Sequence, residues 1–200
     1  MPYIPYLTFP PFIFSSPIAS TLLPFALGIG PGIITRLSSS SAANERFANE
    51  QSNKYLSLKR PPFSPPAWAF PIAWTILYPL MGYAAHRAWS VGLASANSAV
   101  RAQTENGATL YTAQLAVNLC FSVLFFTLGR PVEGLVNIAT LTGMVGYLAY
   151  IWMGVDETAA YCLVPYIAWL GFATYLCAAL GYLNNWDLKF DKVGKEPKVE

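Results

Sequence analysis

Residues 59–89 read KRPPFSPPAWAFPIAWTILYPLMGYAAHRAW, and how this stretch is read decides the fold. It opens on two cations and two proline pairs, Pro61-Pro62 and Pro65-Pro66, then runs without a charge until Arg87. A helix from Ala67 to Trp89 is roughly 34 Å long at about 1.5 Å per residue, enough to cross a hydrocarbon core of about 30 Å. Trp68, Trp74 and Tyr78 place aromatics along it, Pro71 and Pro79 interrupt its hydrogen-bond ladder, and Gly82 thins one face. Aromatic side chains beside kinks suggest a pocket.

Working outward, the rest of the chain has the composition of a membrane protein. It is 54% hydrophobic and 11% charged with a mean hydropathy of +0.40, whereas a soluble domain carries about 25% charged residues. Its 200 residues suit one bundle of a few spans. The expected fold is an all-α integral membrane protein, a bundle of five transmembrane helices at about 13–35, 67–89, 108–128, 132–155 and 158–183. Residues 1–12 read as a tail, 36–65 as a long polar loop and 186–200 as a basic C-terminal tail. The proline-rich start has no basic region leading into a clean apolar core and cleavage site, so no secretory signal is expected.

Each span has local signals. Gly28, Gly30, Pro31 and Gly32 permit close packing at the end of the first. The polar segment 90–107 separates the second from the third. In the third, Gln114, Asn118 and Ser122 recur every four residues and so share a face directed at the bundle. Gly129-Arg130-Pro131 then predicts a tight hairpin, with Glu133 in the positive first turn of the next helix. The fourth span holds Gly134, Gly143, Gly146 and Gly154, and Trp152 is expected in an interfacial belt. Asp156-Glu157 reads as a solvated turn.

Five spans put ten of the 12 Lys and Arg residues on one face and leave only Arg87 and Arg101 on the other. By the positive-inside rule the first loop and the C-terminus are cytosolic.

Other chemistry is weakly represented. His86 is the lone histidine and Cys120, Cys162 and Cys177 fall in apolar helices, so no metal site, disulfide or nucleophilic centre is expected. Leu80, Tyr83 and Arg87 satisfy a loose sterol-contact pattern, whose plain reading is a helix end with an interfacial tyrosine and a snorkelling arginine. The C-terminal lysines set orientation, and no nucleic-acid partner is expected.

The stretches RPPFSPPAWAFPIAWTILYPLMGYA, QLAVNLCFSVLFF and PYIAWLGFATYL, in this order, resemble the TspO family of translocator proteins, also called peripheral-type benzodiazepine receptors. The resemblance implies a five-helix bundle, often homodimeric, that binds porphyrins, other tetrapyrroles or sterols between its helices and needs no cofactor. It implies ligand-wall roles for Pro66, Trp68, Phe70, Trp74, Tyr78, Asn118, Phe121, Tyr166, Trp169, Ala173 and Leu176. Trp74 and Trp169 match the tryptophans tied to porphyrin breakdown in some bacterial members, which makes them the candidates for catalysis. Phe121 stands where the family usually has Trp and Cys177 where it usually has Asn. With the absent signal, the resemblance points to the mitochondrial outer membrane, with endoplasmic reticulum and plasma membrane as alternatives.

Overall fold

A computed structural model describes residues 4–38, 58–66, 68–128 and 130–186, without the side chains of 29–38, Ser122, Phe126 and Thr127. Most of the polar loop, the basic C-terminal tail and the Ser122 side chain of the expected polar stripe therefore lie outside the described residues. The described chain is helical throughout, with no strand. After a single 3-10 turn, Pro5–Leu7, come α1 (Pro11–Ser15), α2 (Pro17–Ser38), α3 (Ala69–Ala94), α4 (Ser98–Ser122), α5 (Pro131–Met153) and α6 (Glu157–Leu183).

Three helical stretches, Ser98–Phe125, Pro131–Met153 and Glu157–Leu183, are long and apolar enough to cross a membrane, and Pro17–Gly28 is a shorter apolar helix. Helix α3 has the length, but its prolines, tryptophans and tyrosines make it less apolar. The protein is thus an all-helical, multi-pass membrane protein. Helices α3, α4, α5 and α6 pack in a closed order, α6 returning to α3, while α2 lies against α3.

Several sequence expectations shift. The first span is divided: α1 ends at Ser15, and Pro17 starts α2, since proline suits a first turn and cannot continue a preceding one. Pro71 also falls in a first turn, where no ladder bond is lost, so only Pro79 interrupts α3. The polar segment 90–107 is mostly helix. The break between α3 and α4 shrinks to Ser95–Asn97, where the Asn97 side chain accepts the Ala99 N–H at 2.9 Å and caps α4. The polar residues there are helix ends that extend beyond the expected spans.

Residues 4–12 are docked on α4. The Ile4 amide donates to Thr109 Oγ1 at 3.2 Å, the Thr8 and Thr109 hydroxyls share a bond at 2.7 Å, and the Phe9 amide donates to Thr112 Oγ1 at 3.2 Å. Phe14 is buried, its ring 5.1 Å from that of Trp89 and 6.0 Å from that of Tyr111. Lone His86 fixes this segment, its Nδ1 donating to the Phe14 carbonyl at 2.8 Å. Trp152 leaves the expected interfacial belt for this cluster: it is 1% exposed, stacked on Tyr111 at 6.0 Å, with its indole nitrogen over the bare face of Gly107.

Nor is the α5–α6 turn merely solvated. Arg87 Nε and Nη2 donate to the two oxygens of Asp156 at 2.8 and 3.1 Å, and Asp156 also caps α6 through the Thr158 amide. The arginine of the sterol-like pattern is therefore engaged with the bundle instead of snorkelling. Its hydrogen bonds hold the Asp156 carboxyl below the ordinary carboxylate range.

Two expectations about stability follow. Because the Asp156 shift is downward, its contribution is complete above the free-carboxylate pKa of about 3.9 and is lost only as pH falls below it. The melting-temperature gap between wild type and Asp156→Asn should hold steady from pH 7 to about 4 and close below that. In thermal unfolding in detergent, Gly82→Val should cost about 3 kcal/mol, because its Cβ would strike the α2 backbone at Ser20 and Thr21. Gly143→Ala, with nothing within 4 Å of the new methyl, should be close to neutral.

Candidate functional site

The seam between α3, α4 and α6 is built from periodicity. On α3, Phe70, Trp74 and Tyr78 are four apart and share a face; on α6, Tyr166, Trp169 and Ala173 do the same at spacings of three and four. Both faces turn toward each other. The Phe70 and Trp169 rings meet edge to face at 5.9 Å, Trp74 stacks on Tyr78 at 4.9 Å, and Trp74 meets Tyr166 edge to face at 6.1 Å.

Helix α4 supplies the polar centre. Tyr78 donates to Asn118 Oδ1 at 3.2 Å, Asn118 Nδ2 donates to the Tyr166 hydroxyl at 2.9 Å, and Tyr166 donates to Gln114 Oε1 at 3.3 Å. All four residues are buried. The chain of bonds spans three helices and gives each phenol a partner in a region where an unpaired polar group is costly. Gln114 and Asn118 thus occupy the interior face expected of them. Helix α2 closes the near side, where any side chain at Gly28 would overlap the Tyr78 ring.

Six expected site residues are thereby joined: Phe70, Trp74, Tyr78, Asn118, Tyr166 and Trp169. Ala173 is half-buried, and Leu176 and Cys177 are buried further along α6. Phe121 is stacked on Phe125 at 5.5 Å. Pro66 and Trp68 stand outside the seam: Pro66 is exposed with its carbonyl accepting the Ala69 amide at 2.9 Å, and Trp68 is 67% exposed. Leu80 is half-buried and Tyr83 is exposed, one on each side of buried Met81 and Gly82.

The sequence reading passed over Phe172, Tyr175 and Asn184. Phe172 lies 5.9 Å from Trp169 and Tyr175 lies 6.2 Å from Phe172, extending the rings along α6. Their three-residue spacing from Trp169 was a usable signal; nothing local singles out Asn184. A separate groove of about 380 Å³ lies elsewhere, between Gln103 and Asn106 of α4 and Tyr147, Tyr150 and Gly154 of α5. Among the described residues no group of three or more His, Cys, Asp or Glu side chains is placed to hold a metal ion.

The fold and seam define a multi-pass helical membrane protein with an aromatic, amide-centred interior. Residues 20–183 match the TspO/MBR family, and the chain belongs to it. It is 46% identical over 128 residues to the translocator protein homolog of Schizosaccharomyces pombe, covering 64% of this chain and 74% of that protein. With the tryptophan-rich protein TspO of Archaeoglobus fulgidus the identity is 34% over 167 residues, covering 84% and 95%. With the translocator protein of Bos taurus it is 37% over 123 residues, covering 61% and 69%.

The polar chain makes an ordered prediction. Asn118→Leu leaves both tyrosine hydroxyls without their amide partner and should lower stability by about 1–3 kcal/mol. Tyr78→Phe removes one hydroxyl and should cost about 0.6 kcal/mol, the usual size of a single interhelical bond in a membrane. Thermal unfolding of both variants in one detergent checks the order.

Proposed function

We propose that this protein binds a hydrophobic, planar ligand in the α3–α4–α6 seam, most readily a porphyrin or other tetrapyrrole and secondarily a sterol, and serves its transport or homeostasis. The observation that carries this reading is the facing of Phe70 and Trp74 on α3 against Tyr166 and Trp169 on α6, around the Asn118 amide. A macrocycle entering the seam exchanges ring-on-ring contacts for stacking on indole and phenyl faces, while amide and phenol groups orient it. Pro66 and Trp68 stand at the mouth, Phe121, Ala173 and Leu176 complete the walls, and the proline-rich segment before α3 acts as a lid. No cofactor is required.

The protein crosses the bilayer five times, with α2 and α3 joining the three more apolar spans. Helix α3, with 26 residues, is about 39 Å long. The charge asymmetry supports a cytosolic first loop and C-terminus, and we place the protein in the mitochondrial outer membrane. A second copy would seat on α5, where a Cβ at Gly146 would meet nothing within 4 Å among the described residues.

A second reading is favoured by the stacking of Trp74 on Tyr78 at 4.9 Å: light- or oxygen-dependent porphyrin degradation, with Trp74 and Trp169 against the macrocycle. One titration addresses both. Protoporphyrin added to detergent-solubilised protein should quench tryptophan fluorescence saturably, with affinity about threefold to tenfold weaker in Trp74→Phe and Trp169→Phe, as expected for loss of one aromatic contact. Linear quenching, equal in all three proteins, would mean partitioning into detergent and would end the tetrapyrrole reading; displacement by sterol alone would favour the secondary ligand. Degradation is supported if illuminated product disappears in the variants while binding persists.

A further inference from the structure

The segment before α3 is fastened to the far end of α6 by one carboxamide. Asn184 Oδ1 accepts the Lys59 amide at 3.1 Å, while Asn184 Nδ2 donates to the Lys59 carbonyl at 3.0 Å and to the Leu180 carbonyl at 2.8 Å. Both amide hydrogens and the oxygen are therefore used, and the Lys59 peptide is gripped on both polar atoms. A second tie lies further back along α6, where the Tyr175 hydroxyl donates to the Pro62 carbonyl at 3.1 Å. Between these ties Pro61 is buried, and just before the first of them Leu58 packs against the core.

The bridged segment is tense. Phe63, 89% exposed, has φ of 63°, a left-handed conformation that is unfavourable for a non-glycine residue. A turn held in that form needs fixed ends, and the Lys59 clasp is one of them. The other end runs through Pro66 directly into α3, whose first turn carries Phe70. The strap 58–66 thus joins the entry of α3 to the last turn of α6. Tyr175 links it through Phe172 to Trp169 and so to Phe70.

We propose that Asn184, assisted by Tyr175, is the latch of this strap, a positioning residue that sets how fast a ligand enters and leaves the seam. This rests on the seam being the ligand site. The hydrogen bonds tie two elements that both carry ring walls, so release of the Lys59 peptide frees the mouth while Trp74, Tyr78, Asn118 and Tyr166 keep their own contacts. The latch therefore governs rates in both directions more than affinity.

The test reads the strap and the ligand separately in the full chain in detergent. Asn184→Asp keeps the size and the Oδ1 acceptor but turns a bare oxygen toward two carbonyls; Tyr175→Phe removes only the second tie. Asn185→Asp makes the same charge change next door and serves as control. Four prolines in residues 58–66 carry no N–H, so hydrogen exchange of this peptide reports strongly on Lys59.

Asn184→Asp should speed both Lys59 exchange and protoporphyrin release about tenfold, the scale expected when a well-made bond becomes an unpaired contact. Tyr175→Phe should have a smaller effect on both, and Asn185→Asp should match wild type. Unchanged Lys59 exchange in Asn184→Asp shows that the residue is no latch. Faster exchange with unchanged protoporphyrin release shows that the strap is no gate. Wild-type protein that fails to bind protoporphyrin saturably removes the site and its gate together, an outcome distinct from both.

Discussion

Everything in the interior depends on one amide in a place without water. Asn118 must be satisfied by protein, since the hydrocarbon layer offers nothing else, and it is satisfied by a phenol from each of two other helices. Sliding α3 or α6 by a single residue displaces its tyrosine by about 1.5 Å along the axis and turns it about 100°, which breaks the bond. The amide therefore fixes the register of three helices at once. Trp74 sits one turn from Tyr78 and Trp169 one turn from Tyr166, so the same constraint brings the aromatic walls face to face.

The two ends of the bundle have opposite characters. At one, Phe14, Trp89, Tyr111 and Trp152 are buried against each other, and the Arg87–Asp156 pair ties α3 to the α5–α6 turn. At the other, α3 and α6 are bridged by a strained strap held through hydrogen bonds to backbone atoms. A dense aromatic plug resists separation, because each buried ring makes many small dispersion contacts that would all be lost together. A bridge of a few hydrogen bonds can open and close again. The seam is accordingly anchored at one end and adjustable at the other.

Much of this was legible in the sequence, because helix spacing alone puts Phe70, Trp74 and Tyr78 on one face and Gln114 and Asn118 on another. The start of α5 at Pro131 also followed from local chemistry, a proline suited to a first turn. What was hidden depended on partners far along the chain. Trp152 looked interfacial until Gly107 was seen to leave room for its indole, and Asp156 looked solvated until Arg87, 69 residues away, was seen to reach it. Trp68, given a wall role by its place in the motif, stands largely exposed as the residue preceding α3. Asn184 had no signal, since a single asparagine after an apolar helix reads as an ordinary end.

The docking of residues 4–14 also bears on the order in which the molecule is put together. Their partners Thr109 and Thr112 lie 101 to 105 residues downstream, and at about 5–20 residues per second of synthesis they emerge roughly 5–20 s later. For most of that interval the first segment has only its own short turns, since His86 follows Phe14 by 72 residues. The beginning of the chain is thus among the last pieces to find its seat, which only α4 completes.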